Sequence, residues 1–383
     1  MILTLLLAPC GQAFAEEIDY EAEALQKARE AWAAKTQTDP LRSIVDSMCG
    51  PGMADSYETM VGSQGGIPAS MLGIVLSVVR YSSTDVPLDL KLLNQALKSA
   101  EDPEAQERIR AEMQWGRPTH LELHQNAAEG VDSVSAEVTY DDAGRRTGIA
   151  ADEFTISYTY DENGKLSEKR LEIGTDYLYV IRYQYDEEGR ETACEMDANG
   201  YTASFRWEYD GAGNLTRSEQ VIGDMAAQTL VLSWNEDGEL IGVGDGSGSE
   251  LKPLYESDAE SFTLRIEVGD STIVYSGSFD AGHRITATEN QSGSMTASTE
   301  MEYGEGGGLL WKRSEYIFPN NTNATEYLYN EYGSLTSTKQ SVTTEQYSQE
   351  FVFECRYDGF GRCEAVVGFA DGAEQGEIIT FTY

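Results

Sequence analysis

The apolar positions of this chain change period once. From residue 16 to about 117 they recur at helical spacing, and after Pro118 they alternate with polar ones. Ile18, Leu25, Ala28 and Trp32 fall on one face of an Ala-, Glu- and Lys-rich stretch, which predicts a helix over Glu16–Lys35. Asp39-Pro40 supplies an N-cap and a first-turn proline for a short helix that stops near Cys49-Gly50. Ile67–Val79 is apolar throughout and reads as a buried core helix, too short to cross a bilayer. Helices over Asp85–Ala100 and from Asp102-Pro103 to Trp115 complete the set, and Gly116-Arg117-Pro118 ends it. Thr119–His124 then alternates polar and apolar, as a half-buried strand does.

From Val134 onward a repeat takes over. Its anchor is an aromatic (position n) followed by Asp or Asn, with Gly at n+4. Tyr140, Tyr160, Tyr185, Tyr209, Trp234, Tyr329 and Tyr357 open the clear copies. Tyr303 keeps the Gly without the acid, and Phe279 is one residue short. Phe279 follows Trp234 at nearly twice the usual spacing, which places a worn unit near Tyr255. A second turn residue lies fourteen or fifteen positions after most anchors, among them Gly174, Gly200, Gly223 and Gly269. Asp at the first position and Gly at the fourth suit a type I turn closed by a left-handed bulge. That geometry sets the anchor opposite n+6, often aliphatic, and the acid opposite n+5, often basic (Arg145, Lys165, Arg190, Arg284, Arg362). Ten units of two turns give roughly twenty strands. The expected fold is therefore mainly β: tandem antiparallel β-hairpin repeats over 118–383 in a long twisted or curled sheet, with an N-terminal α-helical domain over 16–117.

Charge changes the picture of partners. Acidic residues outnumber basic ones 66 to 27, a formal charge of −39. Nucleic acid and anionic membrane surfaces would be repelled. Residues 1–15 carry no charge, and Ala13-Phe14-Ala15 before Glu16 fits a cleavage site, so the segment reads as a signal peptide. Leu7-Ala8-Pro9-Cys10 has the outline of a lipoprotein box with a poorly fitting proline. Cys49, Cys194, Cys355 and Cys363 remain, too scattered for a disulfide framework.

The run Tyr158–Leu166, with Tyr183–Arg190, Trp207–Leu215 and Tyr327–Leu335, resembles the YD repeat of the RHS/YD class. The resemblance covers about 250 residues of the chain. It implies a secreted or surface-displayed protein whose repeats coil into one sheet and contact carbohydrate or a cell surface. In large members the sheet encloses a toxin; ten units are expected to be too few to enclose a cargo.

Little else carries chemistry. His120, Glu122 and His124 would share one face of a strand, but no fourth metal ligand is visible. The acidic turns lack a calcium-loop pattern, and the glycine-rich stretch 242–248 lacks the Lys-Ser/Thr of a phosphate loop. Cys363 should face Tyr357, which leaves Cys355 diagonal to it, and a bridge would strain disulfide distances. Tyr158, Tyr183, Trp207 and Tyr327 lie two residues before an anchor and share its face. On a covered face they are core; on an open sheet they would form a strip on which sugar rings stack. The sequence thus points to a secreted, non-enzymatic scaffold of the cell surface or envelope, without cofactor or membrane span, that binds a glycan or a protein. The alternative is a glycan-active hydrolase with paired carboxylates in a groove of the sheet.

Overall fold

The computed structural model describes residues 19–36, 39–67, 75, 79, 88–124, 133–247, 250–268, 271–292, 294–359 and 362–383. The signal-peptide reading and most of the apolar run Ile67–Val79 lie outside them. The described residues include the helices α1 (Tyr20–Thr36), α2 (Pro40–Cys49), α3 (Gly52–Gln64), α4 (Leu90–Ser99) and α5 (Pro103–Glu112). Asp39, Asp89 and Asp102 cap α2, α4 and α5 by accepting first-turn N–H bonds. The Asp89 cap starts α4 later than the expected Asp85. Helix α3 was not anticipated, because its Gly52 and Gly62 and its lack of an apolar stripe conceal it.

In chain order the strands are β1 (His120–His124), β2 (Ser133–Tyr140), β3 (Arg146–Ala151), β4 (Phe154–Tyr160), β5 (Leu166–Ile173) and β6 (Tyr177–Tyr185). Then come β7 (Glu191–Ala198), β8 (Tyr201–Tyr209), β9 (Leu215–Ile222), β10 (Gln228–Trp234), β11 (Leu240–Gly244) and β12 (Glu250–Leu251). Next are β13 (Leu254–Ser257), β14 (Ser261–Val268), β15 (Ser271–Phe279), β16 (Ile285–Ser292), β17 (Met295–Tyr303) and β18 (Leu309–Phe318). The last five are β19 (Asn321–Tyr329), β20 (Leu335–Thr344), β21 (Ser348–Tyr357), β22 (Cys363–Ala370) and β23 (Ala373–Thr382).

Each strand pairs antiparallel with its chain neighbour, with one interruption. Strand β12 pairs only β11 and β13 only β14, so the two are halves of one strand broken at Pro253. Proline cannot donate to a ladder, which accounts for the break. This broken strand and β14 are the worn unit expected at Tyr255, turned by Asp258. Closure comes from the far ends of the chain: His120 pairs Thr382 and Leu123 pairs Ile379, so β23 lies against β1. The sheet is thus a nearly closed barrel of twenty-two full strands, in keeping with the long curled sheet of antiparallel hairpins expected from the repeats.

Anchors face n+6 as the turn chemistry requires: Tyr160 opposes Leu166 and Tyr209 opposes Leu215. A bulge follows at the anchor of most hairpins, and it shifts the inward face to n+9, n+11 and n+13. Leu171 and Ile173, or Cys194, Met196 and Ala198, consequently point into the lumen and are buried there.

The N-terminal segment fills part of that lumen. Arg42 of α2 bonds the β8–β9 turn through Ala212 O (3.2 Å) and Asn214 Oδ1 (2.8 Å). Cys49 O, at the end of α2, accepts from Trp207 Nε1 (2.8 Å) and Ser218 Oγ (2.7 Å). Glu58 of α3 pairs with Lys169 at 2.5 Å, and Asn199 Nδ2, in the opposite set of turns, donates to Gly65 O. The segment therefore crosses from one end of the barrel to the other. Helices α1, α4 and α5 lie over the anchor-turn end instead. There Trp32 Nε1 donates to Leu309 O (2.9 Å), Arg29 pairs with Glu331, and buried Arg117 donates to Met113 O, Leu88 O and Gly144 O.

Within this cap Arg108 grips Glu21 through two hydrogen bonds, and buried Glu112 lies beside them. Burial, and then the charge of Glu21, push the Glu112 carboxyl up to about 7. An acid whose folded pKa is raised stabilises the fold while protonated, and the stability is lost as pH rises from the ordinary value of 4.5 through about 7. Glu112→Gln is accordingly expected to raise Tm at pH 7.5 and to change it little at pH 5. Equal Tm differences at both pH values would contradict this.

Candidate functional site

The anchor side chains form a belt around one end of the barrel. The polar atom of most anchors donates to the n+6 carbonyl of the preceding unit. Tyr160 Oη reaches Arg146 O (2.7 Å), Tyr185 reaches Leu166 O (2.9 Å), and Tyr209 reaches Glu191 O (2.9 Å). Trp234 does the same through Nε1, to Leu215 O at 2.7 Å. The belt runs on across the chain ends, where Tyr383 Oη donates to Cys363 O and Tyr140 Oη to Pro118 O. Burial pushes these phenols up, Tyr185 to about 12, so they remain donors at physiological pH.

The charges of the turn join the same belt. Arg145, Arg190, Arg284 and Arg362 pair with the acid four residues earlier. Each guanidinium also lies over the next anchor ring, 4.6 Å from the Tyr160 centroid and 4.9 Å from that of Tyr209. Desolvation opposes ionisation of Asp141, Asp186 and Asp280, but hydrogen bonds from the residue four positions on outweigh it and hold these carboxyls below their ordinary range. The sequence shows the pairs of n with n+6 and n+1 with n+5. It conceals the bonds between units, because the partner is a backbone carbonyl about twenty residues away.

The four aromatics singled out from sequence occupy different surroundings. Trp207 is 2% exposed in the core. Tyr158 and Tyr183 pack against the same core, with Arg146 over the Tyr158 ring at 5.0 Å. Tyr327 stacks on Tyr329 at 6.5 Å between centroids and opposes Lys312 and Thr338. That neighbourhood belongs to a second half of the inner wall, β16–β21, which is polar where β2–β9 are apolar. Thr288, Lys312 and Thr338 hold consecutive n+9 positions there.

A cavity of about 450 Å³ opens between α2 and the belt, lined by Arg42, Asp46, Arg190, Glu191, Tyr209 and Trp234. Asp46 still meets solvent through it, yet the protein packed around it raises its carboxyl, and Arg42 offsets only part of the rise. His120, Glu122 and His124 point outward from β1; His120 Nε2 lies 3.2 Å from Ser135 Oγ. No group of three metal-binding side chains converges among the described residues. Cys363 opposes Tyr357 and Cys355 opposes Val366, as expected, and both thiols are free. Contact with Cys355 and burial keep Cys363 protonated. No helix among the described residues is long and apolar enough to cross a membrane.

Belt, bulge and closure together define a YD-type hairpin barrel. Residues 113–222 match the model of the teneurin YD-shell family. Among solved structures the chain is similar to TcdB2-TccC3-TEV, at 12% identity and a TM-score of 0.31 over 62% of this chain and 16% of that one. It thus spans about a sixth of that chain's length. A porin-like protein from Bacteroides uniformis matches at 12% identity and a TM-score of 0.25, over 60% of this chain and 96% of that one. The repeats of this chain are of the RHS/YD type.

Proposed function

We propose that this protein is a secreted, non-enzymatic scaffold of the cell surface or envelope that binds a glycan or a protein partner. One observation carries the reading. The polar groups of the repeat motif are committed to the scaffold itself: anchor to preceding carbonyl, acid to base, base to next ring. What the motif builds is a wall, and ligand recognition falls to the surfaces that the wall presents. A glycan-array screen of the protein tests this. Binding without turnover supports it, and turnover of a bound glycan overturns it. No binding to any glycan removes that ligand class and leaves a protein partner.

A hydrolase is the second reading, favoured by Asp46 with its raised carboxyl beside Glu191 in one cavity. It requires a glycan turnover that both Asp46→Asn and Glu191→Gln abolish.

A further inference from the structure

We propose that the polar half of the lumen, on the inner wall of β16–β21, is a vestibule for a saccharide that bears a carboxylate, with Lys312 receiving that carboxylate. This deepens the scaffold reading and rests on it.

The argument starts from two lysines in equivalent places. Lys169 stands nine residues after the anchor Tyr160, and Lys312 nine after Tyr303. The bulge turns both inward. Lys169 meets a carboxylate there, Glu58 of α3, at 2.5 Å. Lys312 lies between Met301 and Tyr327 in the ladder, and no carboxylate pairs with it among the described residues. An ammonium facing a lumen without a counter-ion is costly, and burial lowers the pKa of Lys312 with no opposing charge. The wall thus holds a second copy of a lysine–carboxylate position with the acid missing.

A second observation is independent of the first. Thr338, two strands from Lys312 in the same row, is fully buried, and its Oγ1 has no hydrogen-bond partner. A hydroxyl left so at an inward position asks for a ligand oxygen.

The rest of the wall selects the ligand class. Toward the mouth, away from the anchor turns, the rows carry Ser314, Thr325 and Gln340, then Tyr316 and Asn323. Tyr316 is 48% exposed and inward-facing Phe351 37%. Hydroxyls and amides that donate and accept, beside open ring faces, match sugar hydroxyls and a sugar ring. A single cation matches a single carboxylate. The charge of −39 disfavours a polyanion such as an acidic peptide.

The test is calorimetric titration of the full chain with neutral-sugar trimers that each carry one galacturonate, glucuronate or mannuronate unit, each beside its methyl ester. At least one acid should bind, and its ester about tenfold or more weakly. Lys312→Gln should bring the acid down to its ester and leave the ester unchanged. Tyr316→Ala, at the open mouth, should weaken both. Arg313→Gln, on the outer face of the same strand, should change neither. Equal binding of acid and ester overturns the proposal, as does unaltered binding by Lys312→Gln with a native Tm. So does a Glu-rich peptide that binds where no trimer does. If none of the trimers binds while the array captures a neutral glycan, the vestibule fails and the scaffold reading stands.

Discussion

Trp207→Ala should lower the unfolding free energy by about 3–5 kcal/mol, read by urea denaturation. The indole is 2% exposed and lies parallel to Phe205, with centroids 6.1 Å apart. Its Nε1 donates to Cys49 O, a carbonyl at the last residue of α2 that has no intrahelical partner. Trp207 therefore fills the lumen and ends the helix inside it. Trp207→Phe keeps most of the volume and loses one bond, and Ser218 still satisfies the carbonyl. That change, like Ser218→Ala, should cost about 1 kcal/mol. The double variant leaves the carbonyl buried and unbonded, so its cost should exceed the sum by about 1–3 kcal/mol. A Trp207→Ala loss below about 1 kcal/mol would mean that the segment does not occupy the lumen.

Gly333→Ala should be the second severe change, at about 2–5 kcal/mol. Gly333 closes its turn at φ +79°, where a side chain is strained. A Cβ there would also stand 2.6 Å from Cδ2 of Trp32, the residue by which α1 is seated on the belt. Gly238 has the same φ but open space around it. Gly238→Ala should thus cost the strain alone, about 1–2 kcal/mol. The difference isolates the seating of α1, and a red shift of tryptophan emission in Gly333→Ala alone would accompany it. Equal costs at the two glycines would contradict the contact.

What the sequence reveals here is local, and what it conceals is not. The turn, the register of Tyr160 with Leu166 and the Asp39 cap follow from residues within a few positions of one another, and the worn hairpin at Tyr255 from the regular spacing of the anchors. The joining of β1 to β23 couples residues more than 250 positions apart, and alternation along either strand is compatible with an open edge. The bulge misleads in a definite way. Alternation carried on from Leu309 at n+6 turns Trp311 inward and Lys312 outward, whereas the bulge reverses both. Lys312 was legible only after counting nine from each anchor and noticing Lys169 in the same place. Helix α3 was hidden because its partner surface is the inside of a barrel, which asks for no single apolar stripe.

The meeting of β23 with β1 makes the number of repeats a property of the whole ring. In a linear array a unit can be gained or lost at little cost to the others. Here one extra hairpin adds two strands, about 10 Å of circumference, and draws the wall away from α2 and α3. One fewer leaves too little room for them. Lengthening by duplication of a single hairpin is therefore closed to this molecule unless the enclosed segment changes with it, so wall and filling are expected to vary together, as a lid does with the rim of its jar.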